Sequence, residues 1–287
     1  MEIRPNTSSD LQQDFLKEYN AEENVRRYVK KTAGHGISYL LEHDYGDLYL
    51  NVISTLIPRA KSPKGLRLLE FGCGAGMNLL HLVSVLDRRG IAVDSAYGTD
   101  FSGALIESAK VEAKGTLKPQ LMEKVRFCVA RNEDLIGDMT RELGKSGESL
   151  AGSFDLIIGI NTVRYGHRLK NEKECAEGIR ELLTDGGVCI VIDMNDKFPA
   201  FRSSLRARPT KGNDDLYYLP SLDEYARPFE SAGFEIVRKD NFCWIPHSAG
   251  QSLTAIMRFM TPLLNSVGRR RAMRSLVISR KTAPRHP

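Results

Sequence analysis

Leu66-Arg-Leu-Leu-Glu-Phe71 is a short apolar run that ends directly in Gly72-Cys-Gly74-Ala-Gly76. This junction constrains the fold more than any other stretch of the chain. Three glycines at alternate positions let the backbone turn tightly and bring main-chain atoms against a ligand that side chains would keep away. Met77, Leu80, Val83 and Leu86 follow at helical spacing. The unit therefore reads as strand, tight loop and helix. The free amides of the helix N-terminus face the loop, an arrangement that suits the negative end of a ligand.

The rest of the chain repeats the alternation that marks a parallel sheet covered by helices. A second strand near Ala96–Thr99 stops at Asp100, and a helix runs from about Gly103 to Lys114. Val125–Ala130 and Phe154–Ile160 read as the third and fourth strands, with a short helix before Gly144 and a loop through Ser149 between them. An amphipathic helix over Asn171–Thr184 is stopped by Asp185-Gly186-Gly187. Val188–Met194 is an unbroken apolar run, as expected of a strand covered on both faces. Ser221-Leu-Asp-Glu224 is a capping box that starts a helix ending at Gly233, and a strand follows from Phe234 to about Val237 or onward to Trp244. Leu253, Ile256, Met257, Met260, Leu264 and Val267 fall at helical spacing, with Pro262 predicting a kink or two short helices. Ser275–Arg280 closes the series as a seventh strand.

Residues 1–60 carry no strong strand signal and read as a helical cap outside the sheet. The domain organisation expected is this cap followed by an α/β domain over 61–287, with insertions at about 196–220 and 245–272 forming a substrate lid.

Charge argues against a nucleic-acid face. The net +5 is local: seven Lys/Arg and no Asp/Glu follow Gly268, whereas residues 1–267 carry 34 Lys/Arg against 36 Asp/Glu. No apolar run approaches the roughly 20 residues of a membrane span, and Met1–Asp10 lacks the layout of a signal peptide. Five widely spaced cysteines without a C-x-x-C pair fit neither a disulfide framework nor a zinc site, and no metal is expected. A cytoplasmic protein is the expectation.

Two cofactor classes compete for the glycine loop. Dinucleotide sites use G-x-G-x-x-G around a pyrophosphate. Here the pattern is G-x-G-x-G with Glu70 two positions before Gly72. A carboxylate there repels a pyrophosphate and suits a cationic amino acid, which favours a positively charged nucleoside without phosphate.

In these residues the sequence resembles the class I S-adenosylmethionine-dependent methyltransferases over about Leu66–Lys281. The Glu70–Gly76 stretch is similar to the family's first motif, which implies that Glu70, Gly72, Gly74 and Gly76 lie beside the amino acid part of S-adenosyl-L-methionine. Asp100, in Tyr-Gly-Thr-Asp-Phe-Ser, resembles the family's ribose-binding acid, with Phe101 beside it; a carboxylate can accept bonds from both ribose hydroxyls. Arg131 stands where the family usually has an acid near the adenine, leaving Asn132 or Glu133 for that contact. Asn161 occupies the place of the motif that lines the transfer cleft. The resemblance implies a three-layer, Rossmann-like, seven-stranded and mostly parallel sheet with an antiparallel last strand.

Methyl transfer is an in-line displacement, so the protein must align the acceptor and exclude water, and it needs a base only where the acceptor keeps its proton. His167, just past the fourth strand, is the first candidate for that base. Tyr165 lines the cleft and Arg164 holds an acidic substrate in this reading. His35, between Gly34 and Gly36, is a second base candidate. Tyr19, Tyr28, Tyr39, Tyr45 and Tyr49 in the cap suit cation–π shielding of a sulfonium or ordinary packing. Arg202, Arg206, Arg208 and Lys211 in the first insertion suit a phosphate or carboxylate, and the methionine-rich second insertion suits an apolar acceptor. That helix can also rest on an anionic membrane, although Pro262 counts against it.

The activity expected is methylation of a small, lipid-like or secondary-metabolite acceptor, with oxygen slightly ahead of nitrogen or carbon. A nicotinamide-dependent oxidoreductase and a messenger-RNA-cap-like methyltransferase are the competing readings.

Overall fold

A computed structural model describes residues 35–144, 147–201 and 219–282. Tyr19, Tyr28, Arg202, Arg206, Arg208 and Lys211, with most of the expected cap, lie outside the described residues.

Two helices come first, α1 (His35–Glu42) and α2 (Asp44–Leu56). Then β1 (Leu66–Phe71), α3 (Met77–Arg88), β2 (Val93–Asp100), α4 (Gly103–Thr116) and β3 (Val125–Val129) follow in turn. Next are α5 (Leu135–Leu143), β4 (Phe154–Ile160), α6 (Val163–Leu169), α7 (Glu172–Leu182) and β5 (Leu183–Met194). The last elements are α8 (Leu222–Ser231), β6 (Phe234–Phe242), α9 (Gln251–Gly268) and β7 (Arg274–Lys281). The seven described strands form one sheet in the order β3-β2-β1-β4-β5-β7-β6. The pairs among β1 to β5 are parallel, and β7 runs antiparallel to both neighbours.

The period of two in the central strands builds three layers. Leu66 and Leu68 of β1, with Ile158 and Ile190, face α1, α2, α3 and α4. Leu69 and Phe71, with Ile157 and Val191, face α5, α7 and α8. The first two helices thus share a core with the sheet, with Leu40, Tyr45 and Ile53 at 0% exposure. Strand order reverses between β1 and β4, so the carboxyl ends of β1, β2, β4 and β5 open onto one crevice.

The capping box at Ser221 forms, with the Ser221 side chain on the Glu224 amide and the Glu224 carboxylate on the Ser221 amide. Several boundaries differ from the sequence reading. The segment after β4, given no element in that reading, winds into α6, and a further turn of helix covers Gly147–Leu150. Strand β5 begins at Leu183, because Leu183 pairs with Phe154 before the glycine turn. Helix α9 runs through Pro262 as one element. The Arg258 carbonyl that loses its amide partner belongs to an exposed residue, as Pro262 is itself, so water can satisfy it. Among the described residues no helix is long and apolar enough to cross a membrane. All five cysteines are buried and unbridged.

Candidate active site

The crevice is a cavity of about 880 Å³, lined by the ends of β1, β2, β4 and β5 and by parts of α1, α2 and α6. One half of it is built by the glycine loop. Glu70, the last residue but one of β1, is 2% exposed, and its two oxygens accept bonds from Asn78 Nδ2 (3.1 Å) and the Leu79 amide (2.9 Å). Tyr49 of α2 donates to Asn78 Oδ1 at 3.0 Å, so the first helices brace the loop acid. Asp100 ends β2, and its carboxylate accepts from the Gly74 and Ser102 amides, both at 2.9 Å. Burial pushes Glu70 up to about 8, against the hydrogen bonds from Asn78 and Leu79, and Asp100 up to about 6. Neither buried acid has a cation partner among the described residues, and together they form a place where positive charge is stabilised.

Gly72 has φ +62°, and a Cβ there would meet Thr162 Oγ1 at 2.2 Å, so only glycine brings the loop this close to β4. Gly72 and Gly74 line the cavity, whereas Gly76 does not. Its amide bonds to Cys73 O at 2.9 Å, and a Cβ on it would meet the Phe127 ring at 2.7 Å. Gly76 therefore serves helix–strand packing. Phe101, Arg131, Asn132 and Glu133 line the same half. Arg131 is tied to Asp134 and Asp138, and Asn132 Nδ2 donates to Thr162 Oγ1 at 2.7 Å.

The other half collects side chains from across the chain. Asn161 and Tyr165 line it, as do Arg164, Met194, Phe198 and Phe201. Asn161 adopts φ +54°, a left-handed conformation that asparagine tolerates better than most residues. Arg164 is committed: its amide donates to Asp193 (3.2 Å), its guanidinium to Tyr165 Oη (2.7 Å) and to Met194 Sδ, and Nε lies 4.0 Å from Asp193. His167 and His35 are not among the lining residues. His167 Nδ1 sits 3.1 Å from Glu172, and His35 is exposed at the start of α1.

Sequence reasoning missed two residues here. His247 lines the cavity, with Nε2 3.1 Å from Tyr45 Oη. Burial, reinforced by the charge of Arg274, holds its pKa well below the usual imidazole range. Arg274, the first residue of β7, also lines the cavity and donates to Asn161 Oδ1 at 3.0 Å. Of the second insertion, Pro246–Ser248 line the cavity, joined by Met273–Arg274 just beyond its end, while Leu253, Ile256 and Phe259 of α9 are exposed to solvent.

Residues 62–248 match the family of the methyltransferase domain. The chain belongs to this family. The methyltransferase is 33% identical over 129 residues to the non-reducing polyketide synthase Preu3 of Preussia isomera, a match that takes in 45% of this chain and 4% of that protein. Its fold is similar to that of the citrinin polyketide synthase CMeT domain (TM-score 0.59, 17% identity, 94% of this chain and 60% of that one). It is also similar to the DszA carbon methyltransferase (TM-score 0.52, 16% identity, 86% and 55%) and to the [4+2]-cyclase SpnF (TM-score 0.52, 17% identity, 83% and 81%). The methyl donor is S-adenosylmethionine, and the oxidoreductase reading falls with that. The cavity fits this cofactor: two buried carboxyls face it from adjacent strand ends, and a glycine at positive φ keeps the loop between them open.

Proposed function

We propose that this methyltransferase methylates a carbon atom of a small acceptor whose C–H is made acidic by neighbouring carbonyls, the kind of carbon a polyketide chain presents. The observation that carries this reading is the Tyr45–His247 pair on the acceptor side of the cavity. A carbon acceptor keeps its proton at neutral pH and needs a base. Burial disfavours the charged form of His247, which keeps its imidazole neutral and available as a base. The relatives named above, a polyketide synthase and carbon methyltransferases, support the same choice. Carbon thereby replaces oxygen as the favoured acceptor atom.

When bound, S-adenosylmethionine supplies an electrophilic methyl group on a sulfonium and leaves as the neutral thioether. Glu70 and Asp100 hold its cationic and ribose portions, with Gly72 and Gly74 giving the loop its close approach. Phe101, Asn132 and Glu133 line the nucleoside end. Asn161 and Tyr165 shape the passage between the halves. The Tyr45–His247 pair takes one proton from the acceptor carbon as the new carbon–carbon bond forms. His247 thus fills the role that the chain's local pattern offered to His167 and His35.

The test is incubation with methyl-labelled S-adenosylmethionine and a β-ketoacyl thioester, with the product resolved by NMR. A carbon-bound label is expected. His247→Ala should lower turnover by about two to four powers of ten with cofactor binding unchanged. Label found on oxygen alone, or full turnover in the variant, overturns the proposal.

A further inference from the structure

Two guanidinium groups line the acceptor half, with the buried Asp193 carboxylate behind them, and the two cations differ in what they touch. Arg164 has Asp193 as its counter-charge, together with Tyr165 and Met194. Arg274 is 3% exposed and its hydrogen-bonding partners are neutral, Asn161 Oδ1 at 3.0 Å and the hydroxyl of Tyr45; the Asp193 carboxylate senses its charge from beyond ion-pair distance. Its Nε has no hydrogen-bond partner among the described residues, and no described carboxylate forms an ion pair with it. The Phe201 ring lies 5.9 Å from the guanidinium carbon. A buried guanidinium carries five donors and cannot shed its charge, so leaving it without an anion is costly. The walls beside it, Met194, Phe198, Phe201 and Met273, are apolar.

We propose that Arg274 is the anion subsite of the acceptor, and that it binds the carboxylate or enolate oxygen of an otherwise apolar molecule. Planar donors in a fork match two oxygens at once. Asn161 is a positioning residue for this group: its left-handed backbone turns the amide oxygen toward Arg274. The acidic-substrate role that sequence position offered to Arg164 passes to Arg274, because Arg164 is already neutralised within the protein. The inference rests on the acceptor occupying this half of the cavity and not on which of its atoms is methylated.

The experiment is calorimetric titration of the full chain, saturated with S-adenosylhomocysteine, using decanoate and its neutral counterpart methyl decanoate. Decanoate should bind at least tenfold more tightly than the ester. Arg274→Met should remove that preference, Arg274→Lys should keep part of it, and Asn161→Ala should weaken it. Neither Arg274 variant should change the affinity for S-adenosylhomocysteine by more than about twofold. Equal binding of the two probes to the unaltered protein, or binding of neither, overturns the subsite without touching the cofactor reading. Failure of the unaltered protein to bind S-adenosylhomocysteine would instead count against the cofactor site itself.

Discussion

The two halves of the cavity are built by different means. The cofactor half comes from one strand–loop–helix unit and the end of the neighbouring strand, and its chemistry resides in main-chain geometry and two carboxyls. The acceptor half draws Tyr45 from α2, Asn161 from the end of β4, His247 from the segment after β6 and Arg274 from β7. The first half is acidic and suits a cation; the second has one guanidinium more than it has carboxylates and suits an anion. On the proposed reading the methyl group would pass from the first half to the second, and the opposed polarity would hold the two reactants in the right order. On that reading the donor is recognised by a local element, whereas the acceptor wall is assembled from segments far apart in the chain.

The largest expected effect that would break this comparison is on stability. Asp193 is fully buried, accepts from the Arg164 and Met194 amides, and is the counter-charge of Arg164. Asp193→Ala should cost about 3–5 kcal/mol in denaturant unfolding, because Arg164 is left buried and unpaired. A loss below about 1 kcal/mol would show that the Arg164–Asp193 pair does not organise the acceptor half. Next in size is Asp100→Ala, which should weaken cofactor binding by about 1–3 kcal/mol through lost charge-assisted hydrogen bonds. Isothermal titration checks it; an unchanged affinity removes Asp100 from the site.

The smallest effect is the pH dependence, and it sharpens the contrast. Glu70 and Asp100 are raised to about 8 and about 6 by burial. A carboxyl raised in the folded state stabilises the protein most when protonated. The contribution is full below its ordinary value of 4.5 for Glu70 and fades as pH climbs through about 8. The free protein should therefore lose stability across that window. A cation beside these groups favours their ionised forms, so the melting-temperature gain from S-adenosylmethionine should be larger at pH 8 than at pH 6. The gain from S-adenosylhomocysteine, which lacks the sulfonium, should vary less. Equal gains at both pH values for S-adenosylmethionine would show that the acids do not sense its charge.

Legibility followed the same division. The limits of β1 and β4 and the capping box at Ser221 could be read because alternation and capping are local rules. The placing of Glu70, Gly72, Gly74 and Asp100 at the crevice was legible for the same reason, since each stands at the end of a strand or in the loop directly after it. Gly76 belongs to the same pattern, but its packing on Phe127 depends on a strand some fifty residues away in the chain. His167 and His35 were chosen for their proximity to strand β4 and to glycines; the fold turns the first toward Glu172 and leaves the second in solvent. A histidine in Trp244-Ile-Pro-His247, close behind an edge strand, was the one available hint of the pair that lines the cavity.

Hydrophobic alternation and a glycine loop after an acid thus determined the layered sheet and the class of donor, since both depend on neighbours within a few residues. The acceptor wall was decided only in three dimensions. Tyr45 and His247 are 202 positions apart, Asn161 and Arg274 are 113 apart, and nothing in a linear pattern links them. They meet because β7 folds back antiparallel between β5 and β6, which carries Arg274 and the segment after β6 to the carboxyl edge of the parallel strands.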